Sequence, residues 1–170
     1  IPLKAFINDD LSVWLLYNQS SPLQFIFNIY ANKIRPVSNF FMFLAFKFVG
    51  TNTYAMYYLF FFLYFVIACV IYIIINRMSK NEFISLLLSI AFIASRFAYY
   101  QAGQALGIME ACGMLFAVLA LYFLLKYMDN ESINLRNYIL SSLCFLLAIY
   151  SHERYIIIFA LYFFLLIFKI

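Results

Sequence analysis

The 170-residue chain is 68% hydrophobic and 22% aromatic, with only 11% charged residues and a formal net charge of +4. A soluble domain carries about 25% charged residues, and a fold of this length has too little interior to hide so much apolar surface from water. Lipid is the solvent such a composition calls for, and the singly scattered basic residues argue against a nucleic-acid partner.

The first 53 residues do not look like the rest. They hold the only adjacent acidic pair, Asp9 and Asp10, followed by LSVWLLY, enough for two helical turns that either aspartate can cap. Trp14 and Tyr17 fall three apart, on one face, and Asn18 to Pro22 reads as a turn. Leu23 to Ile34 is amphipathic at helical spacing and too short to span, so an interfacial helix in the headgroup plane is expected there. Pro36 ends or restarts that helix. Val37 to Val49 reads as a short juxtamembrane or re-entrant helix, closed by a turn at Gly50 to Thr53.

After residue 53 the chain becomes a series of apolar runs. The expected architecture is an all-α, polytopic membrane protein with residues 1–53 as a surface layer and 54–170 as a bundle of about five spans. These are placed at 54–75, 83–100, 104–127, 137–151 and 155–170, each judged against the roughly 20 residues a helix needs to cross hydrocarbon. Serines 85, 89 and 95 can bond back to their own helix or across to a neighbour, and Gly103, Gly107 and Ala111 suit close helix packing. Cys69, Cys112 and Cys144 sit in apolar runs without ligand spacing and read as buried small hydrophobes. The chain opens at Ile1 and closes in an apolar run, so flanking segments of a longer membrane protein are expected.

Alternation of spans places Asp9, Asp10, Arg35, Arg96, His152, Glu153 and Arg154 on one membrane face. Six basic residues on that side against five on the other leave orientation undecided by the positive-inside rule. Four constellations can carry chemistry. Asp9-Asp10 can bind a metal or act as a general base, or simply cap a helix. Arg35 can fork a phosphate, or snorkel to the interface. Glu110, four residues into the third apolar run, is functional or paired by default, with Arg96 a candidate partner if the two outer ends meet, or it simply reaches the headgroups from a shallow position. His152-Glu153-Arg154 interrupts two spans without Gly or Pro. It suits a phosphate-facing His and Arg with Glu153 orienting either, or a tight polar turn. His152 is the only histidine, so no zinc cluster is expected.

In order, FINDDL (Phe6 to Leu11), RPVSNF (Arg35 to Phe40) with Gly50 behind, GIMEACGML (Gly107 to Leu115) and SHERY (Ser151 to Tyr155) resemble the GT-C superfamily of membrane glycosyltransferases. That superfamily includes protein mannosyltransferases and aminoarabinose transferases. The resemblance covers almost the whole chain, starting just after the family's first helix. It implies a transferase that moves a sugar from a polyprenyl-phosphate donor to an acceptor hydroxyl at the extracytoplasmic face. Asp10 or Asp9 would be catalytic or metal-associated. Arg35, His152, Arg154 and Arg96 would face the donor phosphate, with Glu153 and Glu110 orienting or supporting. Relatives with Lys-Glu where this chain has His152-Glu153 leave the role of His152 open.

The expected partners are a lipid-phosphate-linked sugar and membrane lipids, with the acceptor unassigned. No cofactor follows from the sequence, and a divalent metal on Asp9 and Asp10 stays open. Heavy Phe, Ile, Tyr and Asn usage leans toward a bacterial plasma membrane. A transporter or flippase of lipid-linked sugars, and a non-catalytic membrane subunit, are the competing readings.

Overall fold

The computed structural model describes residues 8–30, 33–95, 107–129 and 135–168. Among them the fold is all-α apart from one small hairpin. A surface layer comes first: α1 (Asn8–Gln19), α2 (Pro22–Ile26), the strands β1 (Ile29–Tyr30) and β2 (Lys33–Ile34), and α3 (Pro36–Val49). The apolar helices follow: α4 (Thr53–Ser79), α5 (Glu82–Ile93), α6 (Gly107–Met128), α7 (Leu135–Ser151) and α8 (Ile158–Phe168). A 3-10 helix, Glu153–Ile157, joins the last two.

The start of the surface layer follows from local chemistry. Ser21 and the side chain of Gln24 form a reciprocal capping box around α2, with Pro22 at its first position. The expected helix from Leu23 to Ile34 does not form. It stops at Ile26, and the chain turns into an antiparallel pair, Ile29 opposite Ile34 and Tyr30 opposite Lys33. Asn39 of α3 donates to the Ile26 carbonyl at 3.2 Å, which holds the end of α2 to the next helix. The difference matters for the site. In extended chain, residues two apart share a face, whereas on one helix Lys33 and Arg35 would diverge by about 200° at 3.6 residues per turn.

Below this layer lies an aromatic core. Trp14 stacks on Tyr17 at 5.4 Å, as their spacing suggests, and Tyr17 meets the edge of Phe25 at 5.7 Å. Phe25, Met42, Phe46, Phe60, Ile108 and Cys112 are buried in the same cluster, so α1 to α3 are seated on α4 and α6.

Among the described residues two helices are long and apolar enough to cross a membrane, Tyr54–Ser79 within α4 and Gly107–Met128. Arg77 at the end of α4 pairs with Asp129 just beyond α6, so these two helices run parallel. α6 packs most extensively on α7, through buried Ala117, Ala120 and Ala148. Small side chains there let the backbones approach. Ser141 of α7 donates to the Ala120 carbonyl of α6 at 2.7 Å and meets the Tyr162 hydroxyl of α8, joining three helices. Ser85 and Ser89 bond back to their own helix, each at 2.7 Å to the carbonyl four residues earlier. α5 and α8 are shorter than the spans expected there, at 12 and 11 residues. Of the three cysteines, Cys112 is buried, Cys144 half-buried and Cys69 exposed. Cys69 departs from expectation because it stands one helical turn beyond Phe65, on the outward side of α4.

Candidate functional site

The end of the bundle opposite Arg77–Asp129 gathers the N-terminal turns of α4 and α6 and the C-terminal turn of α7. There His152 leaves the helix in extended conformation (φ −156°, ψ 127°) and caps the 3-10 helix. Its Nδ1 accepts the Arg154 backbone N–H at 3.2 Å, and its Nε2 stands 3.4 Å from Glu110 Oε1. An acceptor role at Nδ1 assigns the neutral ring its proton to Nε2, facing the carboxylate.

Glu110 is only 6% exposed, on a helix that is otherwise apolar around it. A carboxylate in such a place requires partners. Arg154 Nη1 reaches Oε1 at 2.9 Å. The Tyr155 hydroxyl donates to the Glu110 backbone carbonyl at 3.0 Å and lies 3.4 Å from Oε2. The Tyr155 ring lies directly against Gly113: a Cβ added there would sit 2.2 Å from Cε2. Glycine is therefore what lets the turn after α7 close onto α6. Tyr64 of α4 is buried within electrostatic reach of Glu110, and its hydroxyl has no hydrogen-bond partner among the described residues.

Glu153 points the other way. Arg35 grips both of its oxygens, Nε to Oε2 at 2.9 Å and Nη2 to Oε1 at 2.7 Å, and the Lys33 ammonium bonds the same Oε1. This fork holds the Glu153 carboxyl well below the ordinary carboxylate range, with Lys33 acting in the same direction. His152 Nδ1 lies 3.7 Å from Glu153 Oε2, so the histidine stands between the two carboxylates. Its pKa is lowered by burial and by the Arg35 and Arg154 charges, against the opposing pull of Glu110 and Glu153. Beside the fork, Arg35 Nη1 turns to the Met109 sulfur at 3.7 Å. Here a cavity of about 30 Å³ is lined by Asn28, Lys33, Arg35 and Asn39 against Val13, Leu16, Phe25, Met42 and Met109. That is room for about one or two waters.

The structure thus brings together Arg35, Glu110, His152, Glu153 and Arg154. Arg96 lies outside the described residues, and the partners of Glu110 among those described are His152, Arg154 and Tyr155. Asp9 and Asp10 stand in the first turn of α1, one turn before Val13 of the cavity wall. Among the described residues no group of three or more His, Cys, Asp or Glu is placed to hold a metal ion. Sequence reasoning missed Lys33, Tyr155, Gly113 and Tyr64. Lys33 had a readable signal, its two-residue spacing from Arg35. Gly113 and Tyr155 lie inside the GIMEACGML and SHERY segments but show their fit only in three dimensions.

No family model, no curated protein and no solved structure matches this chain.

Proposed function

We propose that this chain acts as a polytopic membrane glycosyltransferase that uses a polyprenyl-phosphate-linked sugar. The membrane part of the reading is supported by the uncovered apolar surface. In the most apolar 18-residue window of α4 only 22% is buried, against 56% for α6. The core helix of a soluble fold would be covered all round. Tyr54, Tyr58, Phe61, Phe62 and Phe65 of α4 and Phe83, Leu86, Leu87 and Ile90 of α5 are exposed. Ionisable groups lie near both ends of α6, where Glu110 and Asp129 are 19 residues and so about 28 Å apart at 1.5 Å per residue. That matches a hydrocarbon layer of about 30 Å.

The observation that carries the chemical reading is the Arg35–Glu153 fork with Lys33. It joins the RPVSN step to the SHERY turn across 118 residues. Three cations (Lys33, Arg35 and Arg154) then face two carboxylates, one positive charge in excess, beside a small half-polar cavity. A lipid-phosphate donor leaves as an anion, and such a site offers it charge-assisted bonds. The carboxylates of Asp9 or Asp10, on the helix flanking the cavity, are the proposed base toward the acceptor hydroxyl. Direct displacement at the anomeric carbon needs no enzyme nucleophile. We assign the site to the extracytoplasmic face of a bacterial plasma membrane.

The test is sugar transfer from a polyprenyl-phosphate donor by the intact protein in membranes, with Asp9 and Asp10 both changed to Asn. The reading expects transfer to vanish while donor binding persists. Undiminished transfer would refute the assignment. Movement of the lipid-linked sugar without an acceptor product would favour a transporter.

A further inference from the structure

Among the clusters around His152, the one at Arg35 has a property that donor binding alone does not require: its cations are already occupied. Arg35 spends two of its three nitrogens on one carboxylate and Lys33 adds its ammonium to the same oxygen. We propose that Glu153 is a built-in occupant of the Lys33–Arg35 anion site, a tethered carboxylate that a phosphate ester must displace. The proposal rests on the donor-binding reading above and adds a gate to it.

Four observations support exchange rather than a permanent strut. The Glu153 side chain is 44% exposed, so it can return to water at little desolvation cost, whereas Arg35 is 17% exposed. A mostly buried guanidinium left without an anion is costly, so the carboxylate leaves only when another anion arrives. Glu153 opens a five-residue 3-10 helix directly after the extended break at His152, a place where a side chain can swing without unwinding α7. Among the described residues the remaining Arg35 nitrogen faces the thioether of Met109, a weak acceptor, at the edge of a cavity that also presents Asn28 and Asn39. An incoming phosphate has more oxygens than a carboxylate and could engage Nη1 as well. His152, Arg154 and Glu110 lie on the inner side of Glu153 and keep the turn anchored to α6 while the carboxylate moves.

Equilibrium binding of decyl phosphate and of inorganic phosphate to the full chain in detergent tests this, comparing wild type with Glu153→Gln, Glu153→Asp and Arg35→Gln. Removing the tethered charge is expected to tighten phosphate binding about tenfold, the worth of roughly one charge-assisted bond. Glu153→Asp, which retains the charge with a shorter reach, gives a smaller gain and covers the case in which Glu153→Gln does not fold. Arg35→Gln abolishes binding of both probes. A gain with both probes means that the phosphate group alone is recognised, and a gain with decyl phosphate only means that a lipid phosphate is. Either outcome supports the gate. Equal or weaker binding after removal of the Glu153 charge, or no binding by any variant, overturns it. Because nothing in this assay reads sugar transfer, a gate that holds while transfer fails would condemn the transferase reading alone.

Discussion

The two ends of α4 and α6 are fastened in different ways. At the C-terminal end one ion pair among the described residues, Arg77–Asp129, joins the helices, with Arg77 partly and Asp129 largely exposed. At the N-terminal end, Glu110, His152, Arg154 and Tyr155 interlock around a buried carboxylate, and Arg35 and Lys33 close on Glu153 beside it. An exposed pair is worth little because water and salt compete for both charges. A buried network is costly to build and more costly to break. One end is a fastening, and the other has the arrangement of a site. The difference lies in burial and connectivity, since charged residues occur at both ends.

The largest expected effect is at the buried end. Glu110→Ala should cost about 2–3 kcal/mol, because His152 and Arg154 lose the carboxylate while Tyr155 keeps only the residue-110 backbone carbonyl. The cost stays below that of a fully enclosed pair because the Arg154 side chain is 68% exposed and can turn to water. Thermal unfolding in detergent measures it. Gly113→Ala comes next, at about 1–3 kcal/mol for overpacking, since the new methyl would overlap the Tyr155 ring. Combining it with Tyr155→Leu should cost less than the two separate changes together. Strict additivity would mean that the ring does not lie where the contact puts it.

A third effect is set by pH. His152 has its pKa lowered in the folded chain from an ordinary value of 6.5. The unfolded chain therefore takes up a proton first as pH falls, so stability is full above about pH 6.5 and declines below it. Glu153 is also depressed, from 4.5, so its contribution is present above about pH 4.5 and is lost on further acidification. Acid unfolding should proceed in two phases, and His152→Gln should remove only the upper one. Loss of both phases, or of neither, would separate His152 from the titration. The smallest effect is Asp129→Asn at the other end, under about 1 kcal/mol and absent in high salt. An effect equal to that of Glu110→Ala would erase the contrast between the ends.

How much of this was legible depended on the range of the interaction. Long apolar runs mark α4 and α6 directly, because a span is a local property of about 20 residues. Trp14 and Tyr17 stack because their three-residue spacing is enough to bring them together. The hairpin at Ile29 to Ile34 was misread as helix: its apolar residues fit either period, and Asn39 of the next helix helps to fix where α2 stops. The site was half legible. A polar residue in an apolar run is visible as an anomaly, which is how Glu110, Arg35 and His152 to Arg154 stood out. Which of them meet is decided by contacts over 42 (Glu110 to His152) to 120 residues (Lys33 to Glu153) that no local pattern encodes. The Glu110 pairing with Arg154 and the part played by Lys33 belong to that second class.

The central claim is that the surface layer and the turn after α7 form one site through Arg35 and Glu153. A double-mutant cycle on thermal stability in detergent, with Arg35→Gln, Glu153→Gln and the pair, measures that contact directly. A coupling of about 1–3 kcal/mol is predicted for a charge-assisted pair in direct contact. Additive effects, with coupling indistinguishable from zero, would contradict it.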